Sequence, residues 1–162
     1  MHLKGKLVIL VLVLITVFLF AFSLNAQAET NKELSSGETV YVSIYSNVYC
    51  GPKKVPLELS SMLSIRNTDT KYSITILSAD YYDSSGKKIE SYIKSPVKLN
   101  PLATTHYYIK EYDKRGGSGA NFIVKWSAKK KVNQPIIEGL MLGLGGGKGV
   151  AFMCPGQVIT EH

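Results

Sequence analysis

Histidine and cysteine are scarce in this sequence, at three and two in 162 residues. Of the histidines only His106 lies inside the part that reads as folded, so a catalytic triad or a histidine metal cluster would lack partners. Cys50 and Cys154, with no histidine nearby, are too few for a zinc site. Helical signal is missing as well, since no segment joins an apolar period of 3.6 to end caps. There is no internal repeat and no low-complexity tract. These absences leave no expected metal and no expected cofactor.

What is present begins with an export signal. Lys4 and Lys6 form a short basic stretch, Leu7 to Phe22 is apolar apart from Thr16, and Ala26-Gln27-Ala28 offers the small residues that signal peptidase needs. Residues 1–28 therefore read as a signal peptide, with Glu29 opening the mature chain. The alternative is an uncleaved anchor, with membrane contact only through residues 7–24. Either way the protein is exported, to the periplasm or cell envelope. Residues 29–38 are polar and read as a flexible lead-in to a domain over residues 39–162.

Within that domain the period is two. Val40, Val42, Ile44 and Val48 alternate with Tyr41, Ser43, Tyr45 and Tyr49, and Leu57, Leu59, Leu63 and Ile65 alternate with polar residues. Asn67-Thr68-Asp69 and Asp83-Ser84-Ser85-Gly86 supply turns. Pro96 and Pro101 bracket an extended piece suited to a sheet edge. Thr104–Tyr112, Asn121–Ser127, Ile136–Leu144 and Val150–Ile159, the last broken at Pro155-Gly156, complete about eight strands. The expected fold is all-β, an antiparallel β-sandwich of immunoglobulin-like type.

The formal net charge is +7. Without Lys4 and Lys6, 17 basic residues face 12 acidic ones, about +5. A moderate excess on an exported protein disfavours nucleic acid as partner; among partners it suits an anionic envelope component or an envelope protein, and basic residues spread through several turns read first as ordinary solvated charge. Outside the cytosol an isolated cysteine pair is more often bridged than free. A Cys50–Cys154 disulfide would close a loop of about 100 residues and restrict the unfolded chain by roughly 4–5 kcal/mol.

Four stretches together resemble the bacterial domain-of-unknown-function family 3124. They are Leu63-Ser64-Ile65-Arg66-Asn67-Thr68-Asp69, Asp80-Tyr81-Tyr82-Asp83, Gly116-Gly117-Ser118-Gly119-Ala120-Asn121-Phe122-Ile123-Val124 and Pro135-Ile136-Ile137-Glu138. The likeness covers about residues 39–159. It implies an envelope-associated domain without assigned activity, so it carries no catalytic residue over. More loosely, the Asn-Thr strand end and the Pro101 connection look like immunoglobulin-like envelope modules, which bears on fold alone.

No constellation of residues reaches the standard of a catalytic site. Ser118 follows Gly116, but Ala120 replaces the second glycine of a nucleophile elbow and a strand follows instead of a helix. Gly143 to Gly149 fails a phosphate loop, with Leu142 and Gly149 at two required positions. Asp80 and Asp83 point to opposite faces of a strand. Trp126 falls in with Phe122 and Val124 as core, and Tyr41, Tyr45 and Tyr49 form either an exposed aromatic stripe or a buried one.

In an antiparallel domain alternate loops gather at one pole. Eight strands put Lys53-Lys54, Lys87-Lys88, Lys114-Arg115 and Lys148 at one end, with Cys50, the start of the Cys154 strand and both glycine loops. The candidate binding set is accordingly Lys53, Lys87, Lys114, Arg115, Gly116, Gly117, Ser118 and Gly119, and Lys129-Lys130-Lys131 lies at the other pole. The expected function is a non-enzymatic binding or interaction module of the envelope. The alternatives are a small hydrolase or carbohydrate-active domain using Asp80, Asp83 or Ser118, and a purely structural spacer.

Overall fold

The computed structural model describes residues 34–145 and 147–161; residues 1–28, read above as a signal peptide, lie outside them. Among the described residues there are twelve strands: β1 (Leu34–Ser43), β2 (Asn47–Cys50), β3 (Val55–Glu58), β4 (Ser60–Arg66), β5 (Ile74–Tyr82), β6 (Lys88–Ser91), β7 (Val97–Leu99), β8 (Thr104–Ile109), β9 (Asn121–Asn133), β10 (Ile136–Gly145), β11 (Lys148–Pro155) and β12 (Gln157–Glu161). One 3-10 turn, Gly117–Gly119, precedes β9. The first sheet runs β12-β1-β9-β5-β6, with β7 also paired to β5, and the second runs β11-β10-β4-β8. β2 and β3 form a separate ribbon. All pairings are antiparallel.

The alternation of apolar and polar residues builds the sandwich directly. Val40 and Val42 of β1, Phe122, Val124 and Trp126 of β9, and Ile74, Ile76 and Tyr81 of β5 turn inward from the first sheet. Leu63 and Ile65 of β4, Ile109 of β8 and Ile137 and Met141 of β10 meet them from the second. Each large apolar side chain so buried contributes about 1.5–3 kcal/mol. β7, between Pro96 and Pro101, pairs on one side only, as an edge must where proline cannot donate.

Twelve strands replace the expected eight because side-chain alternation continues through places where the backbone changes partners. Residues 40–49 are not one strand. After Ser43 the Ile44 amide donates to Ala120 O at 2.9 Å and the Ser46 amide to Gly117 O at 3.0 Å, so the chain leaves the sheet before β2 begins. The aromatic stripe dissolves at that break: Tyr45 packs edge-on to Phe152 at 5.7 Å, whereas Tyr49 is 63% exposed. Leu59, whose amide donates to Ser46 O at 2.9 Å, likewise separates β3 from β4.

The expected break at Pro155-Gly156 is the point where the chain passes from one sheet to the other. β11 pairs with β10 and β12 with β1. The Gly156 amide donates to Ile137 O at 2.7 Å. A Cβ there would lie 2.6 Å from both that oxygen and Val40 Cγ1, so the crossing has room for glycine only.

Residues 34–38 are not a lead-in; they are the first half of β1, paired to the far end of β9. Their polar residues are used inside. Glu38, 1% exposed, accepts hydrogen bonds from Trp126 Nε1 at 3.2 Å and Gln134 Nε2 at 2.7 Å.

Candidate functional site

The ends of β1, β5 and β8 and the start of β9 meet at one pole, and the glycine loop sits there. Ser84 is its anchor. Its amide and Oγ both donate to Gly116 O, at 3.0 and 2.9 Å, and its Oγ accepts from the Gly119 amide at 2.9 Å. Gly116 is buried, and a Cβ would collide with the Tyr81 hydroxyl and with Ala120 Cβ. Gly117 adopts φ +74°, a left-handed conformation natural to glycine. These glycines serve close packing. The Gly116 and Gly117 carbonyls accept from the Ser84 and Ser46 amides, and of the loop's own amides that of Gly119 is spent on Ser84 Oγ.

Three cations of this pole, Lys88, Lys114 and Arg115, are paired with carboxylates, and Lys53, Lys54 and Lys87 form no ion pair among the described residues. Lys114 Nζ lies 2.9 Å from Glu58 Oε1 on β3. Arg115 places Nε 2.9 Å from Asp113 Oδ1, and Nη2 2.7 Å from Asp113 Oδ2 and 2.9 Å from Glu90 Oε2. The Arg115 hydrogen bonds hold the Asp113 carboxyl below the usual range and outweigh its partial burial. Lys114, Arg115, Gly116 and Gly117 line an open depression of about 270 Å³ with Asp83, Ser84 and Ser85. Lys87, Ser118 and Gly119 stand beside it and do not line it, and Lys53 is on the exposed tip of the β2–β3 ribbon.

The cysteines are not bridged. Both are free thiols, Cys50 exposed on the ribbon and Cys154 half-buried, with its thiol pushed up by burial. The start of β11 does lie near the ribbon, since Gly143, opposite Val150, abuts Leu59 and the Glu58 carbonyl. Cys154, however, is opposite Gly139, which abuts Ile44 and the Ser43 carbonyl. Four residues of strand, roughly 13 Å, separate those two contacts. Placing the start of the strand at the pole did not place its seventh residue, Cys154, there.

The residues of the hydrolase alternative are engaged in structure. Burial alone would raise the Asp80 carboxyl, but hydrogen bonds from Lys88 and Ser91 prevail and hold it low; Lys88 Nζ lies 2.8 Å and Ser91 Oγ 2.7 Å away. Asp83 caps its own turn, accepting from Ser85 Oγ at 2.6 Å and from the amides of Ser85 and Lys87 at 2.8 and 2.9 Å. Ser118 is exposed in the 3-10 turn, and His106 is exposed on β8. Among the described residues no three of His, Cys, Asp and Glu cluster as metal ligands.

A different site stands at the other end of the first sheet. Thr75 of β5 is paired with Lys98 of β7 on one side and Ser127 of β9 on the other, so these three side chains form one row on the outer face. Lys129 and Lys130 follow on β9, and Lys71-Tyr72-Ser73 lead into β5. Together they line a groove of about 620 Å³. Its polar side chains are ammoniums and hydroxyls, and among the described residues no carboxylate lines it. The Lys130 ammonium lies 5.1 Å from the centre of the Tyr72 ring. Among the described residues none of Lys71, Lys98, Lys129 and Lys130 enters an ion pair. Four like charges crowded without ion-pair partners raise the local potential at a cost to the fold, and so mark a surface suited to an anion.

The turn Asn67–Asp69 fixes one wall of this groove. Asp69 Oδ1 accepts from the Lys71 and Tyr72 amides, both at 2.8 Å, and Oδ2 accepts from the Asn133 amide at 3.2 Å. Those bonds, the Lys71 amide first, hold its carboxyl below the usual range. Asn67, 2% exposed, donates to Tyr72 O at 2.9 Å and Asn100 O at 3.0 Å. Thr68 Oγ1 donates to Gln134 O at 2.8 Å. Sequence reasoning missed the groove. Its available signals were the Lys129-Lys130-Lys131 run and Lys98 between two prolines, which only strand register brings together.

A family model described as Protein of unknown function (DUF3124) matches residues 37–159. No curated protein matches the chain. The crystal structure of Thermotoga maritima 1070 is similar over 74% of this chain and 92% of its own, at 11% identity and a TM-score of 0.45, a likeness too loose to bear on function.

Proposed function

Because the chain belongs to the family described as Protein of unknown function (DUF3124), a description that names no activity, we propose from its geometry a non-catalytic binding module of the cell envelope that holds an anionic partner in the lysine groove. The observation that carries this reading is the contrast between the two ends of the sandwich. Lys114 and Arg115 at the glycine pole are engaged by carboxylates of the same chain, whereas Lys98, Lys129 and Lys130 of the groove form no ion pair among the described residues and Lys71 meets only the nearby charge of Asp69. The basic, apolar leader of residues 1–28 supports an exported location, where anionic surfaces are plentiful.

The test is retention on an anionic polymer such as dextran sulfate at about 0.15 M salt, where screening acts over ~8 Å. Changing Lys98, Lys129 and Lys130 to Gln should release the protein. Changing the exposed Lys53, Lys87 and Lys110 to Gln removes the same net charge and should leave retention intact. Equal loss in both triple variants would show that net charge acts, and the groove would drop out of the account.

A further inference from the structure

We infer that the groove selects phosphoryl groups over carboxylates and takes at least two in succession, an inference that rests on the anionic-partner reading above. The donor chemistry points there first. An ammonium lacks the planar fork by which a guanidinium grips carboxylate or phosphate alike; it is a compact point charge that discriminates by anion charge, and a phosphate monoester carries about −1.5 to −2 where a carboxylate carries a single charge. The chain has two arginines, Arg66 and Arg115. Both face carboxylates of this protein, Arg66 on Glu138 at 3.6 Å and Arg115 on Asp113 and Glu90. The groove has none. It offers lysine ammoniums above a floor row of the Thr75 and Ser127 hydroxyls, with Lys98 at the end of that row.

Charge and size set the number of groups. A phosphate monoester carries about −1.5 to −2 near neutral pH. One such group would leave four clustered ammoniums half-neutralised, and two or three would match them. A groove of about 620 Å³ lies inside the usual range for small-molecule sites, roughly 300–1,000 Å³, and accommodates several phosphoryl units. The lysines also come from both sides of the floor, Lys98 from β7 and Lys129 and Lys130 from β9. A run of phosphoryl groups along the groove meets both walls. The Tyr72 ring keeps Lys130 at the wall by its quadrupole.

The experiment is calorimetric titration of the full chain with tripolyphosphate, orthophosphate and citrate at equal ionic strength. Tripolyphosphate should bind at least tenfold more tightly than either of the others. Lys98→Gln and Lys129→Gln should each weaken it about threefold to fivefold, as expected for exposed ion pairs. Lys110→Gln should change nothing. Citrate binding as tightly as tripolyphosphate, with the same response to the groove variants, would overturn phosphoryl selectivity and leave the anionic groove standing. Orthophosphate binding equally well would overturn the requirement for succession. Tripolyphosphate binding that ignores Lys98→Gln and Lys129→Gln, or no binding of any of the three, would overturn the groove itself. Sedimentation with phosphatidylglycerol vesicles but not phosphatidylcholine vesicles would put the phosphoryl groups on lipid headgroups. Tripolyphosphate binding without vesicle binding would put them on a soluble or polymeric ligand.

Discussion

The crossing of the chain between sheets at Gly156 gives the sharpest test of the architecture. Gly156 has no positive φ, so space alone demands glycine there. Gly156→Ala would set a methyl 2.6 Å from the Ile137 carbonyl oxygen and from Val40 Cγ1, and 3.3 Å from Val42 Cγ2. Backbone and core must both shift. Overpacking of this kind costs about 1–3 kcal/mol. Loosening the 2.7 Å bond from the Gly156 amide to Ile137 O adds about 1 kcal/mol. The sum, about 2–4 kcal/mol, is read by urea unfolding followed through Trp126, which is fully buried. With a urea slope of ~2 kcal/mol per M for a domain of this size, the midpoint should fall by roughly 1–2 M. Gly51→Ala is the control. Gly51 has φ +69° and nothing within 4 Å of an added methyl, so only conformational strain of about 1 kcal/mol is introduced. A Gly156→Ala midpoint within about 0.2 M of the parent would refute the crossing as drawn.

Alkaline pH and thiol chemistry probe two other parts of the structure. Tyr92, packed against Phe122 and Tyr107, has its hydroxyl pushed up to about 12, by burial first and by Glu90 and Asp113 next. A raised folded pKa means stability is fully present below the unfolded tyrosine value of about 10 and is lost as pH rises toward 12. Absorbance titration of the phenolates should show a late-titrating group that Tyr92→Phe removes; uniform titration near 10 would contradict its burial. A thiol reagent should label exposed Cys50 rapidly in the folded protein and half-buried Cys154, whose thiol is raised, more slowly. Failure of both to react without reductant would restore the disulfide.

Strands were legible because inward and outward residues differ chemically at every second position, as Val42/Ser43 and Val124/Lys125 do at different depths. Strand breaks were not, because alternation persists where the backbone bends from one partner to another: Ile44 and Leu59 are buried on either side of such bends. The first half of β1 was hidden for another reason. Ser35 and Glu38 look solvent-bound, yet Glu38 finds its donors at Trp126 and Gln134, nearly 90 residues or more along the chain. Counting lysines could not locate the free charge either. Lys114 and Arg115 were counted with the cationic pole, but Glu58 and Glu90 reach them from other strands.

The residues that carry the family resemblance now divide into two structural roles. Gly116 and Gly117 let a loop settle onto Tyr81 and Ser84, and that loop brings Arg115 to Asp113 and Glu90. Asn67, Thr68 and Asp69 tie the β4–β5, β7–β8 and β9–β10 connections together through Tyr72, Asn100, Asn133 and Gln134. Neither set supplies a reacting group; both fix where charge sits. At the glycine pole the fixed geometry brings Lys114 and Arg115 to carboxylates and weakens the field around the loop. At the opposite end it holds the Lys71–Tyr72 corner against β9 while Asp69 gives its oxygens to backbone amides, and Lys98, Lys129 and Lys130 form no ion pair among the described residues. A carboxylate able to reach Lys98, Lys129 or Lys130 would quench their field. Its absence from the described groove lining is the feature by which the fold keeps one end of the sandwich electrostatically open to a ligand.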